Sequence, residues 1–137
     1  MRMLLPAIAA VALPVVLLGA PPARAAIDCS NAQTTVEMNF CSEKEFDAAD
    51  KELNAQYEKA LGYIAESNLD KPYDPKSWTE AMRVAQRAWV AYRDADCKGL
   101  MPMEWSGGTG TSSAVMGCMT EKTIQRTKDL KERYEEH

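Results

Sequence analysis

The sequence predicts an all-α fold: a small helical bundle with a long antiparallel helical hairpin, a C-terminal helix and two disulfide staples. Three observations carry that expectation. Apolar residues recur at helical spacing along most of the chain. No stretch alternates with the two-residue period of a half-buried strand. Four cysteines, Cys29, Cys41, Cys97 and Cys118, follow an N-terminal segment built like a secretion signal.

That segment comes first. Arg2 is a short positive start, and an apolar run from Met3 to Ala20 follows, broken by Pro6 and Pro14. Ala23-Arg24-Ala25 is an A-x-A exit, so residues 1–25 read as a cleaved signal peptide and 26–137 as one domain. The prolines, the length and the small exit residues argue against a membrane anchor, so no membrane span is expected after cleavage. Ala26-Ile27-Asp28 precedes Cys29 where a lipid-attachment motif would need a leucine and small residues, so Cys29 is not lipidated. The expected location is the periplasm or the medium.

With Arg2 and Arg24 removed, 14 basic residues face 20 acidic ones. Such a domain carries no basic patch, which excludes nucleic acid as a partner. An acidic surface suits a basic protein, and it also serves plain solubility.

The helices are read in order. Ser30 with Gln33 forms a capping-box pattern, and Ser42 with Glu45 forms a second, which implies a restart or kink near Cys41. From Phe46 one apolar stripe runs through Ala49, Leu53, Tyr57, Ala60, Leu61 and Ile64. Leu69 to Pro75 is a turn. The second helix begins at Asp74-Pro75, with Asp74 as cap and Pro75 in the first turn, or at Ser77 with Glu80. Its stripe is Trp78, Met82, Ala85, Trp89 and Tyr92, while Ala81, Ala88, Ala91 and Ala95 invite a close neighbour. Tyr57, Trp89 and Tyr92 are expected to be buried. Gly99 is the expected left-handed end. Leu100 to Ser113 reads as a loop, and loops of that length are often functional. The last helix spans about Ser113 to Glu135, with Val115, Met119, Ile124, Thr127 and Leu130 near one side and a frayed, charged end.

The hairpin favours Cys41–Cys97, because the two residues lie at similar distances from its turn, and this leaves Cys29–Cys118. The rival is local pairing, Cys29–Cys41 and Cys97–Cys118. A straight helix would hold Cys29 and Cys41 about 18 Å apart, so local pairing needs a break between them.

Catalytic chemistry finds little support. The only histidine is His137, so neither a Ser/His/Asp nor a Cys/His arrangement is available within the fold. There is no CxxC spacing for a metal or a redox pair, and no metal or cofactor is expected. Gly107-Gly108-Thr109-Gly110 lacks the preceding strand and the lysine of a phosphate loop. Arg87, Arg93 and Asp94 read as ion pairs that fix helix register. A non-enzyme is the expectation.

The assembled residues resemble the LprI-like lysozyme-inhibitor domain family. The resemblance rests on Cys29, Glu37-Met38-Asn39-Phe40-Cys41, Ala49-Asp50, Leu53-Asn54 and Tyr57. It continues through Gln86-Arg87-Ala88-Trp89, Tyr92-Arg93-Asp94, Cys97, Gly107-Gly108-Thr109, Cys118, Thr123, Arg126 and Leu130. It covers nearly the whole mature chain and implies a small secreted helical domain whose namesake is a lipoprotein that inhibits lysozyme. The scaffold positions it marks are Asp50, Leu53, Asn54, Tyr57, Trp89, Tyr92, Arg93, Asp94, Thr123 and Arg126.

Two functions follow as expectations. One is occlusion of a lysozyme-type hydrolase, with Glu104, Trp105 and Ser106 at the centre of the contacting loop. Folding of Trp105 and the nearby methionines back as a core lid is an equal alternative for that loop. The other function is a non-enzymatic envelope module that binds another envelope protein or a cell-wall fragment. Asp50, Asn54, Arg93 and Arg126 would then line a groove or simply lock the bundle.

Overall fold

A computed structural model describes residues 27–135. The predicted signal peptide lies outside the described residues. A 3-10 turn at Cys29–Asn31 leads into α1, Thr35–Ala65. The second helix, α2, is Pro75–Asp94; it passes through a π-helical turn, Ala95–Leu100, into the short α3, Met101–Glu104. The last helix, α4, is Thr111–Tyr134. Among the described residues there is no strand.

Three capping-box patterns compete at the start of α1, and the one at Thr34 prevails. The Thr34 hydroxyl accepts the Glu37 N–H at 3.2 Å, and the Glu37 carboxylate accepts the N–H groups of Thr34 and Gln33, each at 3.0 Å. An ionised carboxylate at a helix N-terminus also complements the macrodipole, which the Gln33 amide of the Ser30 pattern does not. Ser30 instead sits in a turn held by the Asp28 carboxylate. The expected break near Cys41 is absent, and α1 runs through it for 31 residues, about 46 Å. The start of α2 follows the Asp74-Pro75 reading, with Asp74 accepting the Ser77 N–H.

The second helix does not end at Gly99. It widens by the π-helical turn and continues to Glu104, and the left-handed residues are Ser106 (φ 51°) and Gly107 (φ 66°). The expected loop from Leu100 to Ser113 therefore shrinks to residues 105–110.

Ser42 shares a 2.6 Å hydroxyl hydrogen bond with Ser113, and the Tyr63 and Tyr134 rings meet edge-on at 5.7 Å. Both pairs are 71 positions apart, so α1 and α4 run parallel in constant register. Trp78 packs near both tyrosines, and Gln86 meets Arg126, so α2 runs antiparallel to its two neighbours. The result is an up-down-up bundle. The α1–α2 turn lies at one end, and residues 105–110 lie at the other.

Leu53, Ala60, Ile64, Met82, Leu130 and Tyr134 form the core, with Tyr57, Leu61, Trp78 and Trp89 packed against it. Tyr134 is buried, so the C-terminal turn is anchored rather than frayed. Three residues of the expected apolar stripes face out, Ala85 among them. Ile124 is exposed because Thr123 takes the inward position, and Tyr92 is 57% exposed because Arg93 does. Ala81, Ala88, Ala91 and Ala95, expected to face a close neighbour, are exposed.

Arg93 is only 6% exposed. Its guanidinium lies over the rings of Phe46 and Trp89, at 5.3 and 5.1 Å. It donates to Asp50 (3.3 Å), Asp94 (3.2 Å) and the Thr123 hydroxyl (3.1 Å). One side chain thus ties α1, α2 and α4 together. Burial of a charge is tolerable here because every donated bond finds an oxygen.

This layer explains the disulfides. The favoured pairing, Cys41–Cys97 with Cys29–Cys118, is not formed; the bonds are Cys29–Cys41 and Cys97–Cys118. Cys97 lies four residues beyond Arg93, and Cys118 lies five residues before Thr123 on the antiparallel helix, so the two meet at one level. Cys41 lies nine residues before Asp50, about 7 Å further along the bundle than Cys97. The break that local pairing requires is present: Ala32 and Thr34 are extended, and the chain before α1 folds back onto its first turns.

Candidate functional site: a stapled loop at one end of the bundle

The Cys97–Cys118 bond joins the π-helical turn to α4, with Cα atoms 5.5 Å apart. Cys97 is fully buried. Everything between the two cysteines is an excursion closed by this staple. Its tip is dense in backbone hydrogen bonds: Trp105 N–H to Met101, Ser106 N–H to Met103, Gly107 N–H to Pro102, Gly108 N–H to Trp105 and Thr111 N–H to Gly108, all within 3.0–3.1 Å. Glycine is needed at 107 for its positive φ and at 110 for space. A Cβ on Gly110 would stand 2.7 Å from Cζ3 of Trp105.

The loop is thus rigid, yet its apolar residues are outside. Trp105 is 51% exposed and Met103 is 77% exposed, with Leu100, Glu104 and Ser106 also in solvent. Trp105 and Met103 therefore do not fold back as a core lid. Met101 and Pro102 are half-buried.

Beside the tip, Asp96, Met101, Trp105, Ala114, Gly117, Cys118, Glu121, Lys122 and Gln125 line an open groove of about 640 Å³. The Lys122 ammonium is held by Asp96 at 2.9 Å and by the Tyr92 hydroxyl at 3.2 Å. The hydrogen bond to Asp96 is the main cause that raises its pKa, and the one to Tyr92 adds to it. One turn away, Lys98 bonds Asp94 at 2.8 Å; chiefly through that bond, and with help from Arg93, the Asp94 carboxyl lies below its usual range. Asp96 also stands close to the sulfurs of Cys97 and Cys118, but those atoms are spent in the disulfide and offer no thiolate to a metal.

Charge is divided along the bundle. On the loop side of the Asp50–Arg93–Thr123 layer, residues 27–50 and 93–123 hold four Lys/Arg and ten Asp/Glu, a net −6. The remainder of the described chain holds ten Lys/Arg and nine Asp/Glu, a net +1. All the excess negative charge therefore surrounds the stapled loop.

The ten scaffold positions lie apart from the tip. Asp50, Asn54, Arg93, Asp94 and Thr123 form one connected cluster, with Asn54 donating to Asp50 at 3.0 Å. Arg126 donates to Gln86 at 3.0 Å and lies over the far side of the Trp89 environment, 5.9 Å from its ring; burial lowers its pKa. Leu53 is buried, and Tyr57 and Trp89 are half-buried against the core. Tyr92 is the exception and faces Lys122. Arg93 and Arg126 link helices through these bonds. The sequence reading named Gln86 only as part of the family resemblance, without a role, and did not single out Gln56 or Gly117. Gln86 was visible in principle, since it stands four residues after Met82 and three before Trp89 on the inward stripe.

A helical bundle with an exposed, disulfide-closed loop and a buried arginine bonded to three oxygens belongs to the class of small disulfide-stapled helical domains. Residues 27–130 match the family of the lysozyme inhibitor LprI, and the chain belongs to that family. It is also similar to an uncharacterized protein of Rhizobium meliloti (strain 1021), 36% identical over 110 residues that cover 77% of each chain. No solved structure matches it. Two disulfides and this family membership point to a protein outside the cytoplasm. Among the described residues no helix is long and apolar enough to cross a membrane.

Proposed function

We propose that the chain is secreted, loses residues 1–25 and inhibits a lysozyme-type cell-wall hydrolase by occlusion. The observation that carries this reading is Trp105: a large aromatic side chain held by a stapled loop, half in solvent, on the acidic half of the molecule. Exposed tryptophans on rigid supports are frequent binding anchors, because little entropy is lost when they dock. Glu104 and Ser106 flank the anchor and offer polar contacts at the rim. Lysozymes that attack cell walls are commonly basic, so the −6 end would meet them first. The protein acts as a plug and supplies no chemistry.

The test is lysis of a peptidoglycan suspension by a basic lysozyme, with and without the oxidised mature protein, across a salt series. Dose-dependent inhibition that weakens with salt is the expected result, and Trp105→Ala should raise the inhibition constant at least tenfold. An absence of inhibition at large molar excess would reject the reading for that class of lysozyme.

A second reading, a non-enzymatic envelope interaction module, draws on the opposite end of the bundle. There Leu69, Pro72, Tyr73, Ser77, Trp78 and Ala81 line an apolar cavity of about 390 Å³, with Leu69 and Tyr73 exposed at its edge. Capture of an envelope protein that depends on Tyr73 and not on Trp105 would favour it.

A further inference from the structure

Gly117 is a residue that the bundle does not need. It lies in the interior of α4, where glycine weakens a helix relative to alanine. No neighbour excludes a side chain there, since a Cβ would meet nothing within 4 Å. What its bareness does is deepen the groove beside Trp105, of which it lines one wall.

The other walls describe an occupant. Trp105 offers an aromatic ring that lies close against Gly110. Glu121 offers a carboxylate with no ion-pair partner among the described residues. Gln125 has its NH2 committed to Asp129 at 2.8 Å, which leaves its carbonyl oxygen as an acceptor. Lys122, the one cation of the groove, is drawn aside by Asp96 and the Tyr92 hydroxyl. The surrounding half of the molecule carries net −6. An aromatic face, a free carboxylate and an amide oxygen in an acidic field suit a planar cation with several donors, which stacks and hydrogen-bonds at once.

We infer that this groove is the receptor for an arginine side chain presented by the protein partner, with the guanidinium between Trp105 and Glu121. The inference rests on the inhibitor reading for the identity of the partner, and it adds which chemical group of the lysozyme is gripped. Met103 and Leu100 then cover the apolar surroundings of that arginine. Occlusion follows because the grip fixes the loop tip against the enzyme.

Gly117→Leu projects into the groove from a position where a Cβ meets nothing within 4 Å, and it replaces a poor helix former with a good one. Its melting temperature should equal or exceed that of the wild type. Lysozyme inhibition by Gly117→Leu should weaken at least tenfold, and by Glu121→Gln about threefold to tenfold. If the wild type inhibits and Gly117→Leu inhibits equally well, the groove assignment is wrong while the inhibitor reading stands. A second arm needs no lysozyme: amide and indole N–H resonances of the oxidised protein are followed while acetyl-arginine amide, acetyl-lysine amide or an N-acetylglucosamine trimer is added. Shifts at Trp105, Gly117 and Glu121 with the arginine compound, larger than with lysine and absent in Gly117→Leu, are expected. Shifts there with the sugar alone, or with none of the three, would overturn the inference.

Discussion

Replacing Cys97 and Cys118 together by alanine opens the staple beneath the Trp105 loop and leaves Cys29–Cys41 in place. The closed segment has a sequence separation of 21. In the chain-entropy treatment a loop of that size is worth about 3.4 kcal/mol at 25 °C. The void left at the fully buried Cys97 adds in the same direction. With an unfolding entropy of about 2.1 cal/mol/K per residue and roughly 110 ordered residues, the melting temperature should fall by ~15 °C. Urea titration followed by far-UV circular dichroism, without reductant, gives the free energy directly. The variant also tests connectivity. Were the bonds Cys29–Cys118 and Cys41–Cys97, the same double substitution would remove both long-range bridges, about 9 kcal/mol together, and a domain of this size would be largely unfolded. A loss under about 1 kcal/mol, or complete unfolding, would each refute the reasoning. Lysozyme inhibition should disappear in the variant even at temperatures where the bundle remains folded, because the loop loses its closure before the core is lost.

Other expected outcomes concern the scaffold. Arg93→Ala should destabilise by about 3 kcal/mol, the low end for a broken buried pair, since Asp50 and Asp94 retain access to water; Arg93→Met, which keeps the stem between Phe46 and Trp89, should lose less. A urea midpoint unmoved by Arg93→Ala would remove this residue from the scaffold. Thr34→Ala should lose about 1 kcal/mol with unfolding still cooperative, as for other caps, and an unchanged midpoint would contradict the capping box. Gly110→Ala should displace the Trp105 indole, shift tryptophan emission and weaken inhibition with little change in melting temperature; unaltered emission would show that the contact at Gly110 does not hold the ring. Asp94 has a folded pKa below its ordinary value, chiefly through its bond to Lys98, and Glu37 is lowered by the N–H groups of Thr34 and Gln33. Their folded forms bind fewer protons than the unfolded chain at acid pH, so their contribution is present above the ordinary carboxylate range and is lost as pH falls through the lowered values. Urea midpoints measured from pH 7 down to pH 3 should therefore decline below about pH 4.5, and a flat profile would contradict the shifts.

Much of the architecture was legible before any coordinates. Helical periodicity from Phe46 to Ile64 and from Trp78 to Trp89 is local information, because the same residues that repeat every three or four positions become the buried stripe. Asp74-Pro75 marked its helix start by a mechanism confined to one turn. The loop after the second helix was legible as a glycine-rich stretch with a tryptophan, though its bounds were not.

What only the tertiary structure decided depends on how helices slide and rotate against one another. Cysteine pairing is one case: hairpin arithmetic placed Cys41 near Cys97, but the buried Arg93–Asp50 contact sets the register and shifts them apart by about 7 Å along the bundle. The choice of Arg93 over Tyr92 as the inward residue is another. Composition rules put tyrosine inside and arginine outside, and a charge can be buried only where three oxygens and two aromatic rings from other helices converge on it. The groove beside Trp105 is a third, since its walls come from residues 96 to 105 and 114 to 125, and their meeting requires the Cys97–Cys118 bond. Local propensity acts over one turn of chain, and these features are made by groups that sequence separates by 20 to 70 positions and only packing brings together.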